Sequence, residues 1–183
     1  PIREDAILNP MSPYGSSKLM SEIMLRDTAE AYGMRYVMLR YFNVAGSDPL
    51  QRTGHSTLGA THVIKVACEA ALGKRSHMKI FGTDYDTPDG ICIRDFIHVS
   101  DLAEAHCAAL AYLDQGGPSA TLNCGYGRGY TVLETIEAVR RVPGCTLDIF
   151  GDGDQAAPIA AYLTEHDLGD RIRLHGRRTR EQW

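Results

Sequence analysis

The chain has 183 residues, 44% apolar and 23% charged, with a formal net charge of −4. This composition supports a sizeable core and argues against wholesale disorder. The acidic balance disfavours a nucleic-acid or anionic-membrane partner, and no apolar run approaches the roughly 18 residues of a membrane span.

The chain opens Pro1-Ile2-Arg3-Glu4, without an initiator Met or a signal peptide, and reads as a segment of something longer or as a processed or engineered chain. Residues 1–11 read as loop. Ser12 or Pro13 opens a helix along which Leu19, Ile23, Met24 and Ala31 fall near helical spacing, and Gly33 stops it. Residues 35–42 are rich in β-branched and aromatic side chains and predict a strand. Residues 43–59 carry Gly, Pro, Ser and Asp and predict a long loop, a length usually tied to function or flexibility. A second helix is predicted over 60–72, closed by Gly73, then a short strand over 78–81. A turn-rich insert (82–90) leads into an extended stretch (91–99).

Ser100 and Asp101 look like an N-cap for a third helix running to about Leu113. Residues 120–124 predict a strand, followed by Gly125-Tyr126-Gly127-Arg128-Gly129. Thr131 and Glu134 form a capping-box pattern that opens a fourth helix to about Val142. Beyond Pro143-Gly144 come a strand (146–150), a glycine turn (151–153), a helix (155–167) and a strand (171–175). Strands alternate with helices, so the class is α/β with a mainly parallel sheet. The five cysteines (Cys68, Cys92, Cys107, Cys124, Cys145) are odd in number, widely spaced and lack a C-x-x-C pair. They are expected to be reduced, buried thiols of a cytoplasmic protein, not a disulfide framework or a zinc site.

The reactive candidates are Tyr14 and Lys18. Four residues apart on a helix, they share one face. A tyrosine hydroxyl has a reference pKa of about 10, so a base at neutral pH needs help, and a cation one turn away favours the phenolate. A three-unit depression corresponds to about 4 kcal/mol, part of which a bound pyridinium would supply. Y-x-x-x-K alone is a weak pattern, equally compatible with an exposed Tyr and a solvated Lys at a helix start. His98, between apolar neighbours, is expected to be structural. With His106 it lacks a third ligand, so no metal site is expected.

Four stretches together are far more specific: 12–26 (SPYGSSKLMSEIMLR), 39–47 (LRYFNVAGS), 80–106 (IFGTDYDTPDGICIRDFIHVSDLAEAH) and 122–129 (LNCGYGRG). They resemble the UDP-glucose 4-epimerase family of extended short-chain dehydrogenases, over about residues 11–141. The resemblance implies part of an NAD-binding Rossmann-type parallel sheet plus a small α/β substrate lobe over 1–142, with the N-terminal half of the sheet missing and a divergent tail over 143–183. It implies Tyr14 as catalytic base, Lys18 as the residue that tunes it and holds the nicotinamide ribose, and Phe42 as a cofactor contact. Asn43, His62, Val63, Lys79, Ile80, Phe81 and Arg94 would contact the UDP-sugar. Arg94 makes physical sense, since a planar guanidinium suits a diphosphate, although an ion pair with Asp95 is its structural alternative. His62 departs from the family's asparagine and is the weakest of these contacts. Tyr126 and Arg128 stand equally between ligand contact and simple loop packing.

The implied reaction interconverts UDP-glucose and UDP-galactose through a 4-keto sugar, with NAD taking and returning hydride. The family's pyrophosphate-binding G-x-x-G-x-x-G loop is absent ahead of Tyr14, so the 183 residues alone are expected to be inactive. The alternatives are a non-catalytic remnant or dimerising fragment, paired through the Tyr14 helix, and a nucleotide-sugar glycosyltransferase fragment. The last rests on residues 146–178, whose strand–Gly-Asp-Gly–helix–strand pattern resembles the C-terminal domain of GT-B glycosyltransferases. Residues 151–156 also fit G-x-G-x-x-A, a dinucleotide fingerprint with Arg177-Arg178 as a phosphate site, though Asp152 and Asp154 oppose an anion there and a tight turn is the plainer account.

Overall fold

The computed structural model describes residues 2–50, 52–82, 84–142, 147–150, 156–165 and 172–175. In chain order its elements are α1 (Pro13–Tyr32), β1 (Val37–Tyr41), β2 (Asn43–Ala45), α2 (Val63–Ala71), β3 (Met78–Lys79), β4 (Ile93–His98) and α3 (Val99–Asp114). Then follow β5 (Ala120–Cys124), β6 (Gly129–Thr131), α4 (Val132–Arg140), β7 (Leu147–Phe150), α5 (Ala156–Glu165) and β8 (Ile172–His175). The chain divides into two compact units, residues 1–54 with 95–128 and residues 55–94 with 129–183.

In the first unit, α1 begins at a cap readable in the sequence. Ser12 Oγ accepts the Gly15 N–H at 3.1 Å, and Pro13 occupies a first-turn position where its missing donor is harmless. Gly33 ends the helix in the left-handed region at φ +65°, and the Met34 N–H reaches back to Ala29 O at 2.9 Å. β1 and β5 pair in parallel from Val37↔Ala120 to Tyr41↔Cys124. β2 pairs in parallel with β4, placing Asn43 opposite Phe96. Asn43–Ala45 is therefore strand, not the start of a long loop, because β4 offers it a ladder that no local pattern announces.

In the second unit, β3, β7 and β8 form a parallel sheet in that order, with Met78↔Ile149 and Leu147↔Ile172 in register. The inward side chains of α2 repeat at helical spacing (Val63, Val66, Ala67, Ala70) and meet Met78, Ile91, Leu133 and Ile136. Ile159 and Leu163 of α5 and Ile172 of β8 join the same core, so the described elements of the tail pack within this unit. Ile91 and Ile136 are fully buried, each side chain contributing about 1.5–3 kcal/mol of burial. α4 starts at the predicted capping box, with Glu134 N–H on Thr131 Oγ1 at 3.1 Å and Thr131 N–H on Glu134 Oε2 at 2.8 Å.

Two further expectations are corrected. The N-cap of α3 is His98, whose Nδ1 accepts the Ser100 N–H at 3.2 Å, and Asp101 lies in the first turn instead. His98 is thus structural as expected. The thiols are not buried: Cys68 and Cys107 are exposed and Cys92 and Cys124 half-buried, while Cys145 lies outside the described residues. Cys68 directly follows the fully buried Ala67, so the ~100° step per helical residue carries it off the core face.

Candidate functional site

Tyr14 and Lys18 lie one turn apart on α1, with Lys18 Nζ 5.4 Å from the centre of the Tyr14 ring. Both side chains are exposed, Tyr14 by 72%. They border an open groove of about 460 Å³ between α1 and residues 38–41 of β1. Lys18 also lines a second groove of about 370 Å³, walled by the N-terminal segment, Phe42 and Asn123. Between α1 and β1, Arg40 grips Glu22 in a two-pronged pair, Nε–Oε1 2.8 Å and Nη2–Oε2 2.6 Å. The guanidinium holds the Glu22 carboxyl below the ordinary glutamate range. This pair fixes the helix that carries Tyr14 against the strand that leads into Phe42.

Phe42 and Asn43 sit where β1 passes into β2. The Phe42 N–H bonds Cys124 O at 3.3 Å, and Asn43 Nδ2 donates to Asp95 O at 2.9 Å. The glycine-rich loop after β5 closes over them. A Cβ on Gly125 would stand 2.5 Å from Phe42 Cδ2 and 2.9 Å from Asp95 Oδ2, so only glycine fits. Asp95 Oδ1 accepts the Tyr126 N–H at 3.2 Å, and Oδ2 accepts the Gly127 N–H at 2.9 Å. The Tyr126 hydroxyl donates to Asp101 and accepts the His98 N–H at 3.2 Å, and the Asp101 carboxylate raises the Tyr126 pKa. The two N–H groups are thus held by a carboxylate of the chain itself. Asp95 is the residue that sequence reasoning missed. Its one signal was its position beside Arg94, where it read as that arginine's partner.

The other six candidates belong to the second unit. His62 holds the N-cap position of α2 without a side-chain cap bond, and its ring meets His55 edge-on, centroids 4.7 Å apart. Val63 opens α2 and packs partly on the core. Lys79 ends β3 facing solvent, Ile80 is half-buried against the core, and Phe81 is exposed. Arg94, in β4, is exposed and forms no ion pair among the described residues. The structure thus gathers Tyr14 with Lys18 and Phe42 with Asn43 in one unit, and the remaining candidates in the other. Among the described residues no cluster of His, Cys, Asp or Glu is suited to a metal ion, and no helix is long and apolar enough to cross a membrane.

Parallel strands alternating with helices, as here, place the chain among α/β proteins of Rossmann type. The chain belongs to the NAD dependent epimerase/dehydratase family, whose profile matches residues 1–125. It is 62% identical over 144 residues to a UDP-glucose 4-epimerase of Azospirillum brasilense, covering 79% of this chain and 41% of that protein. A crystal structure of UDP-glucose 4-epimerase from Brucella ovis in complex with NAD superposes with a TM-score of 0.78 at 38% identity, covering 98% of this chain and 48% of that one. The Bifidobacterium longum UDP-glucose 4-epimerase, solved in complex with NAD+ and UDP, matches with a TM-score of 0.70 at 31% identity, over 97% and 47%. The chain spans about half the length of the relatives it matches.

Proposed function

We propose that this chain carries the catalytic base and the UDP-sugar lobe of a UDP-glucose 4-epimerase. The observation that carries this reading is the Lys18 ammonium 5.4 Å from the Tyr14 ring, at the edge of an open groove. Tyr14 Oη takes the proton of the sugar 4-hydroxyl and returns it when C4 is inverted. Lys18, one helical turn away, places a cation beside the Tyr14 ring. When bound, NAD supplies the acceptor and donor of hydride. The residues fit it: Tyr14 and Lys18 are accessible, and Phe42 offers a flat apolar edge beside Lys18 on the smaller groove. By the family resemblance, Asn43 in the first unit and His62, Val63, Lys79, Ile80, Phe81 and Arg94 in the second are the residues assigned to the UDP-sugar, Arg94, which forms no ion pair among the described residues, being the one suited to a diphosphate.

No G-x-x-G-x-x-G loop lies within these 183 residues. Turnover by these residues alone is therefore expected to be slow or nil, since positioning of the reactants depends on a firmly held cofactor. A dimerising role through α1 is favoured by one observation: Met20, Ile23 and Met24 lie exposed at i, i+3, i+4 spacing.

The test replaces the matching segment of the Azospirillum enzyme by these residues and assays conversion of UDP-glucose to UDP-galactose. Turnover that falls about 10²–10⁴-fold in Tyr14→Phe, with the KM for UDP-glucose little changed, supports the reading. Equal turnover by Tyr14→Phe overturns it.

A further inference from the structure

Asp95 has no role in the proposed function, yet it bonds Asn43 directly and reaches Phe42 through the loop 125–127. Its main-chain oxygen accepts the Asn43 amide at 2.9 Å, which leaves Oδ1 as the acceptor Asn43 can offer a ligand. Its carboxylate holds the Tyr126 and Gly127 N–H groups at 3.2 and 2.9 Å. Those two bonds hold the preceding residue, Gly125, against Phe42 Cδ2 and Cε2, where not even a methyl group fits. The Phe42 N–H in turn bonds the carbonyl of Cys124, next to Gly125. One half-buried carboxylate therefore closes a ring of contacts around Phe42 and Asn43, all within the first unit.

We propose that Asp95 is a positioning residue for the reaction, setting Phe42 against the cofactor and Asn43 against the nucleotide sugar by clamping the loop 125–127. This rests on the epimerase reading. Charge-assisted bonds to backbone N–H groups are among the stronger and more directional contacts a fold can make. Gly127, at φ +71°, has the conformation that turns its N–H and that of Tyr126 toward one acceptor. The Tyr126 hydroxyl, tied to Asp101 and to the His98 N–H, anchors the same loop at the start of α3. That second anchor tethers the loop to the unit when the clamp is lost, so Asp95 governs how closely Gly125 packs on Phe42 and not whether the unit folds.

The test compares the wild-type chain with Asp95→Asn, Asp95→Ala and Tyr126→Phe. Amide hydrogen exchange at Phe42 and Asn43 in the 183-residue chain is expected to speed up at least tenfold in Asp95→Ala and less in Asp95→Asn, which keeps one acceptor oxygen. In the chimaeric enzyme described above, kcat is expected to fall at least tenfold in Asp95→Ala while UDP affinity stays within about twofold. Tyr126→Phe, which leaves the clamp intact, is expected to lower thermal stability with kcat held. Unchanged exchange at Phe42, or a lower melting temperature with kcat and KM both unchanged in Asp95→Ala, overturns the proposal. If the unsubstituted chimaera does not epimerise, the epimerase reading fails, and the exchange rates at Phe42 and Asn43 still decide whether Asp95 sets their positions.

Discussion

Glu22 and Arg40 join helix α1 to strand β1 through two parallel N–H···O bonds, with side chains only 19% and 22% exposed. A two-pronged guanidinium–carboxylate pair this shielded contributes more than a surface pair, and removing one partner strands the other. Glu22→Gln is expected to destabilise the first unit by about 1–3 kcal/mol, read by urea denaturation. The pH dependence has a definite sign. The folded pKa of Glu22 is depressed, so its contribution is full above the unfolded value of about 4.3 and is lost as pH falls through the lower folded value. Wild-type stability should therefore drop below about pH 4 more steeply than that of Glu22→Gln. Parallel curves from pH 6 to 3 would show that the pair does not act this way.

Arg94 carries the expectation for substrate binding. Its guanidinium is exposed and without an ion pair among the described residues, and Asp95, the neighbour that would neutralise it, is engaged with the loop 125–127. Arg94→Lys keeps the charge and loses the fork, so UDP binding measured by calorimetry should weaken at least about tenfold, and Arg94→Ala should weaken it further. Affinity retained by Arg94→Lys would place the diphosphate elsewhere.

The second unit offers a separate stability test. Ile136 is 1% exposed and sits among Leu133, Met78 and Ile91, with tail residues Ile159, Leu163 and Ile172 in the same cluster. Ile136→Ala is expected to cost about 2–5 kcal/mol, and Thr131→Ala, which removes the capping box of α4, about 1 kcal/mol. Deleting the tail from residue 143 should also destabilise this unit, because it uncovers that core. Unchanged melting after the deletion would mean that α5 and β8 contribute nothing to it.

Local chemistry explains what was readable in advance. Ser12, Pro13 and Gly33 bound α1, and Thr131 with Glu134 opens α4, because caps depend on residues within one turn. β2 and β6 were missed because each is a three-residue strand that exists through pairing with distant segments, not through its own composition. The Tyr14–Lys18 pair was legible because helical spacing dictates it. The Asp95 clamp was not, since it joins residues more than thirty positions apart in the sequence, and neighbouring Arg94 supplied a simpler partner. Cys68 and Cys107 were misplaced for a related reason: a thiol's average preference for the interior yields to the face of the helix it occupies.

The exposed face of α1 gives the last prediction. Met20, Ile23 and Met24 form an apolar stripe along one side of the helix, while Glu22 on another side is held by Arg40. In the described first unit only Ala29, Ile97 and Leu102 are buried apolar residues, so much of its apolar surface is open to a partner. Association through α1 would bury this stripe and is driven by the area removed from water. Sedimentation of the 183-residue chain should then show a concentration-dependent monomer–dimer equilibrium. Met24→Lys places a charge at the centre of the stripe, where its desolvation opposes association, and should weaken the dimer at least about tenfold, equivalent to about 1.4 kcal/mol. Met11→Lys, also exposed but outside the helix, should leave the equilibrium unchanged. A single monomeric species at every concentration, or equal weakening by both substitutions, would exclude α1 as the interface.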